Sequence, residues 1–126
     1  MHKGPMQCVI VSLKHTGRDS KYITLWRGDD KGYCYRMPGV GRYPLSQVMA
    51  HLGYYNTGHA DIAVDAAVIE RLATAGNPKD FDPDGIDCQV VLNTKENWDA
   101  ILGAIVAPTK EQPKPLYKGS PYKEAA

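Results

Sequence analysis

The stretch that most constrains this chain is Met6 to Leu13, MQCVIVSL. In an extended conformation Cys8, Ile10 and Ser12 point one way and Val9, Val11 and Leu13 the other, so neither face is polar. Such a strand belongs in the middle of a sheet rather than at its margin. With 126 residues, 43% hydrophobic and 23% charged, the chain is long enough for one domain to bury a core around it.

Lys14 to Tyr43 alternates basic with aromatic residues. Tyr22, Thr24 and Trp26 interleave with Ile23 and Leu25, the run Gly28-Asp29-Asp30-Lys31-Gly32 is turn chemistry, and Tyr33-Cys34-Tyr35-Arg36 resumes the extended pattern. This predicts an antiparallel β-hairpin. If Ile23 and Leu25 enter the core, the opposite face carries Tyr22, Trp26, Tyr33 and Tyr35 as an aromatic platform. Lys14, His15, Arg18, Lys21, Arg27, Arg36 and Arg42 stand around it. The glycines of Pro38-Gly39-Val40-Gly41 make a flexible exit; this G-x-G lacks the third glycine and the βαβ setting of a dinucleotide loop.

Three helices follow. Leu45, Val48, Met49 and Leu52 recur at helical spacing between Pro44 and Gly53, and Tyr54 to His59 reads as a turn. After a short strand, Asp61 to Val64, Asp65 caps a helix with Val68, Ile69 and Leu72 inward, ended by Gly76 and Pro78. A strand over Cys88 to Leu92 precedes Asn93-x-x-Glu96, a capping box, and a helix with Trp98, Ile101, Leu102 and Ile105 on its inner face. The expected architecture is α+β: a mixed or mainly antiparallel sheet with an early hairpin and about three helices packed on one face. Residues 1–107 form the domain. Residues 108–126, with four prolines and four lysines, read as a flexible, disordered basic tail, against the alternative that Leu116, Tyr117 and Tyr122 pin it down.

Charge is unevenly distributed. Residues 1–43 hold eight Lys or Arg against three acids, net +5; residues 44–105 hold three against nine, net −6; the remainder is net +2. A dipolar molecule of this kind can attract an anion locally, while its near-neutral total argues against bulk duplex binding. A phosphorylated small molecule, a short single strand of nucleic acid or an acidic patch on a host protein are the candidate ligands. Cys8, Cys34 and Cys88 are widely spaced within strand-like segments and read as free thiols. Asp80-x-Asp82-x-Asp84-Gly85 opens like a calcium loop, but Val91 stands where the closing carboxylate is required, which leaves a solvated acidic loop. No cofactor or metal is implied. The chain has no apolar run near 18 residues, and MHKGPMQ lacks a signal peptide's apolar segment, so the expectation is a cytoplasmic protein that does not enter a membrane.

The runs SLKHT, YITLWR, GYCY, GRY and DIAVD, spread from Val9 to about Val106, are similar to those of a group of small uncharacterised proteins encoded by tailed phages and prophages. The resemblance implies context rather than chemistry. Small accessory phage proteins often bind a host component, such as a defence complex, a nucleotide signal or a replication enzyme. The expected function is therefore inhibition or sequestration of a host component through the basic, aromatic hairpin face, by a protein that is not an enzyme. The competing class is a nucleotide- or nucleic-acid-processing enzyme with His15 as general base and Asp19 to orient it. His51 and His59 near Asp61 are weaker metal candidates without a third partner.

Overall fold

The computed structural model describes residues 6–81 and 88–123. Strand β1 (Gln7–Ser12) lies at the centre of a five-stranded sheet. It pairs on one edge with β5 (Asp61–Asp65), in register from Cys8 opposite Asp65 to Ser12 opposite Asp61. Its other edge is divided between β2 (Leu25–Trp26), where Val11 meets Leu25, and β4 (Tyr43–Pro44), where Cys8 meets Tyr43. Beyond β2 lies β3 (Tyr33–Cys34) at the sheet margin. A separate ribbon joins β6 (Thr74–Ala75) to β7 (Gln89–Val90), and every strand pairing among the described residues is antiparallel. The α+β class and the central place of the first strand are as expected.

Each face of β1 has its own core. Val9 and Val11 pack with Ile23, Leu25, Ile62 and Val64 against Ile69 of α3 (Ala66–Leu72) and Trp98 and Ile101 of α4 (Lys95–Leu102). Cys8 and Ile10 pack with Trp26, Tyr43 and Ala63 against Val48 of α1 (Leu45–Ala50) and Tyr55 of α2 (Leu52–Tyr55). Helices therefore cover both faces, not one. A strand apolar on both sides loses its hydrophobic stabilisation on whichever side is left wet, so the Cys8 and Ile10 face requires a cover of its own.

Local signals hold with shifts of a few residues. The Asp65 carboxylate caps α3 by accepting from the Ala67 amide at 3.0 Å, as the sequence predicts. That helix stops at Leu72, before Gly76, because Thr74 and Ala75 leave it to pair with β7. The helix predicted over Leu45 to Leu52 is interrupted at His51 (φ −138, ψ 46), and its second piece continues through Tyr54 and Tyr55, which the sequence reading assigned to a turn. Thr94, not Asn93, caps α4, accepting from the Asn97 amide at 3.2 Å.

The described part of the supposed tail, residues 108–123, lies on the body. The Glu111 amide donates to the Thr57 carbonyl at 3.2 Å, and Pro115, Tyr117 and Ser120 are buried, with Tyr117 part of the larger core. Arg18 donates from its guanidinium to the carbonyls of Tyr117, Ser120 and Tyr122. Composition suggested mobility because proline and lysine are poor core formers. Main-chain carbonyls captured by fixed donors, with one tyrosine as anchor, override that preference. Among the described residues no helix is long and apolar enough to cross a membrane.

Candidate binding surface

The hairpin forms with the predicted alternation, Leu25 opposite Cys34 and Trp26 opposite Tyr33. Its turn runs Gly28 to Lys31, closed by the Lys31 amide on the Gly28 carbonyl at 3.1 Å, with Asp29 (φ 57, ψ 31) and Asp30 (φ 57) both left-handed. That is the backbone of a type I′ turn, whose twist matches paired strands and whose central positions aspartate tolerates better than most residues. Tyr43 fixes the turn from below: its hydroxyl donates to the Arg27 carbonyl and accepts from the Asp30 amide at 3.0 Å.

The aromatic face is not one open platform. Trp26 is only 8% exposed, walled in by Tyr33 (ring centroids 6.3 Å apart), Tyr43 (6.4 Å), Tyr54 (5.5 Å) and Tyr55 (5.9 Å). The indole is the floor, and Tyr33 (45% exposed) and Tyr54 (51%) are the open rings above it. His15 extends the patch, its ring tilted at 51° against Tyr33 with the centroids 4.2 Å apart. Its loop is held down where Thr24 Oγ1 donates to the His15 carbonyl and the His15 amide donates to Ser12 Oγ. His15 thus contacts a tyrosine rather than Asp19.

A second group lies towards the other end of the hairpin. Tyr22 is buried, its hydroxyl donating to Asp80 Oδ2 and accepting from the Asn77 amide, and its ring stacks on Phe81 at 5.7 Å. Tyr35 (39% exposed) meets Tyr22 edge-on at 5.9 Å, and the Arg36 guanidinium lies 5.1 Å from the Phe81 centroid. With Lys21, which pairs with Asp80 at 3.0 Å, these rings line a shallow cleft of about 200 Å³. Tyr33 in β3 touches the first group and Tyr35, just beyond that strand, the second, so the two groups adjoin along the sheet margin.

The basic residues are distributed differently from the expected rim. Arg18 holds the C-terminal segment, Arg42 pairs with Glu70 at 3.0 Å, and Arg27 donates through Nε to the Tyr33 carbonyl. Arg36 rests on Phe81, and Lys14 is exposed beside His15. Sequence reasoning missed Tyr54, Tyr55 and Phe81; the Tyr54-Tyr55 doublet was visible, but its helical placement under the hairpin was not.

Electrostatics follow from this packing. Burial first, and then the negative charge of Asp30, hold the phenols of Tyr43, Tyr54 and Tyr55 above their usual range, Tyr43 being pushed up to about 12. Asp61, itself raised by burial, adds to the effect on Tyr54. A raised native phenol keeps its proton when the unfolded chain has lost it, so the associated stability is complete below pH 10 and is lost as pH rises towards 12. Alkaline unfolding followed by circular dichroism is expected to show a fall in stability across that window. Tyr43→Phe is expected to flatten this fall and to lower neutral-pH stability by about 1–2 kcal/mol through its lost hydrogen bonds.

His59 pairs with Glu111 through Nδ1 at 2.6 Å, and among the described residues no three His, Cys, Asp or Glu side chains gather as a metal site. Asp82, Asp84 and Gly85 of the calcium-like motif lie outside the described residues. Fold and surface together define an α+β protein with a supported aromatic margin. No family model matches the chain, and neither a curated protein nor a solved structure is significantly similar to it.

Proposed function

We propose that this protein is a binding module that engages a protein partner through the aromatic margin of its hairpin, and that it acts as a phage-type inhibitor of a host component. The observation that carries the reading is the combination of exposed rings, Tyr33, Tyr35 and Tyr54 with His15, and a buried aromatic layer, Trp26 and Tyr22, that holds them in place. Rigid, partly exposed tyrosines contribute large contact area with little ordering cost, which is why tyrosine is enriched at interface hot spots. The engagement of Arg18, Arg27, Arg36 and Arg42 with groups of the protein itself supports a protein partner over a phosphorylated ligand or a single strand. The phage and host context comes from the sequence resemblance.

The test is affinity capture from host lysate at moderate salt, comparing the tagged protein with a Tyr33→Ala, Tyr54→Ala double variant. Proteins and heat-released small molecules are both identified by mass spectrometry. The expected result is a stoichiometric host protein that the variant loses while its thermal unfolding changes little, since both rings are half exposed. Trp26→Ala is a poor probe because truncating a buried Trp costs about 3–5 kcal/mol by itself. Release of a nucleotide with no captured protein overturns the reading, and turnover of that nucleotide abolished by His15→Ala replaces it with an enzyme.

A further inference from the structure

The Trp26 cluster has a chemistry that the proposed interface leaves unspecified. Tyr33 and Tyr54 stand nearly perpendicular to the indole, at 88° and 74°, with Trp26 recessed between them. A carboxylate stands beside this cluster, against Tyr55 and Tyr43. Asp30 is exposed at the turn, its amide held by the Tyr43 hydroxyl at 3.0 Å, and its Oδ2 lies 3.5 Å from the Tyr55 hydroxyl, which donates to it. Charges acting on the phenols of Tyr54 and Tyr55 are those of Asp30 and, for Tyr54, Asp61.

The nearest arginine in sequence is directed elsewhere. Arg27 alternates with Trp26 and so leaves the strand on the opposite face, where its guanidinium lies beside Gly39 and its charge acts on Cys34. Electron-rich ring faces with a neighbouring carboxylate attract a cation, and the attraction grows as the cation is desolvated between rings. An anionic ligand at the same place meets the exposed Asp30 carboxylate instead.

We infer that the Trp26, Tyr33 and Tyr54 surface, with Asp30 beside it, seats a cationic side chain, a lysine or arginine supplied by the protein partner. This rests on the binding reading given above and specifies which partner group the surface takes. Tyr33 and Tyr54 supply ring contact, Trp26 fixes their spacing, and Asp30 provides the counter-charge. Asp30→Asn is a clean probe of that charge, because asparagine is nearly isosteric and accepts the left-handed backbone at this position.

The site is tested in two arms on the full chain. In the first, tetramethylammonium chloride is titrated against sodium chloride at matched ionic strength, with tert-butanol as the neutral isostere. The indole N–H signals of Trp26 and Trp98 are followed by NMR, assigned with Trp26→Phe. The expected result is a saturable, millimolar-range shift of Trp26 with Trp98, buried in the other core, unmoved. Tyr54→Ala and Asp30→Asn are each expected to weaken it by about three- to ten-fold. A response that does not saturate, or an equal response to tert-butanol, overturns the cation seat. In the second arm, Asp30→Asn is carried through the lysate capture beside Tyr54→Ala. Loss of the partner with both variants supports the proposal. Loss with Tyr54→Ala alone, together with no saturable tetramethylammonium binding, overturns the cation seat and leaves the binding module standing. Retention of the partner with both variants overturns the two together.

Discussion

Asn93→Ala is expected to lower the free energy of unfolding by about 3–4 kcal/mol and to loosen the C-terminal segment. Asn93 is buried, and its side chain joins three parts of the chain. Nδ2 lies 3.1 Å from the Gly17 carbonyl, 3.0 Å from that of Ser20 and 3.1 Å from that of Leu116, its two protons shared among the three. Oδ1 accepts from the indole N–H of Trp98 at 2.6 Å. Truncation leaves a buried indole donor and several carbonyls without their partner, and each unsatisfied buried group costs about 1–3 kcal/mol. Water entering the vacated space recovers part of this, which sets the figure below the simple sum. The readouts are urea denaturation and limited tryptic proteolysis at Lys118, where cleavage is expected to accelerate. Asn93→Asp is expected to be at least as damaging, since it replaces the donor with a charge aimed at carbonyl oxygens. A loss below about 1 kcal/mol, with unchanged proteolysis, contradicts the role assigned to this side chain.

A second large effect is expected from two glycines that face each other with opposite tolerance. A Cβ on Gly41 meets the Cα and N of Gly28 at 2.6 Å and the carbonyl carbon of Arg27 at 2.8 Å, all backbone atoms. A Cβ on Gly28 has its nearest neighbour, the Cα of Gly41, at 3.9 Å. Gly41→Ala is therefore expected to push the exit strand off the hairpin, breaking the bond from the Gly41 amide to the Trp26 carbonyl, 2.9 Å in the native protein. The cost is expected to reach about 3 kcal/mol, the upper end of overpacking effects, because neither backbone can turn aside. Gly28→Ala is expected to change stability by no more than about 0.5 kcal/mol. Paired thermal melts decide the matter. Similar destabilisation by both variants, or none from Gly41→Ala, refutes the close approach of these loops. Since Trp26 floors the aromatic surface, Gly41→Ala is also expected to weaken partner capture where Gly28→Ala does not.

Much of the fold is legible because it rests on short-range rules. The alternation of Val9, Val11 and Leu13 with Cys8 and Ile10 identifies a strand buried on both sides, and the same observation already required cover on both faces, an implication that the expected one-sided packing overlooked. Asp65 before an apolar-periodic run marks a helix start because the cap is made within two residues. The hairpin register follows from turn chemistry and period. The candidate surface was only half legible. Alternation tells which face a side chain points to but not how deep that face lies, so Trp26 and Tyr22 were placed in the open with Tyr33 and Tyr35. Tyr54 joined the surface through a helix that approaches Trp26 from elsewhere in the chain.

By itself, the sequence determined the α+β class, the central strand, the early hairpin and the Asp65 cap of α3, all set by patterns within a few residues. Only the tertiary structure decided which rings are floor and which are rim, and that Arg18, Arg27 and Arg42 serve the protein's own carbonyls and carboxylates while Arg36 rests on Phe81. It also placed residues 108–123 on the body. Arg18 reaches a carbonyl 99 residues away and Asn93 one 76 residues away, and the energy of such contacts depends on where distant backbone lands, which no local pattern records.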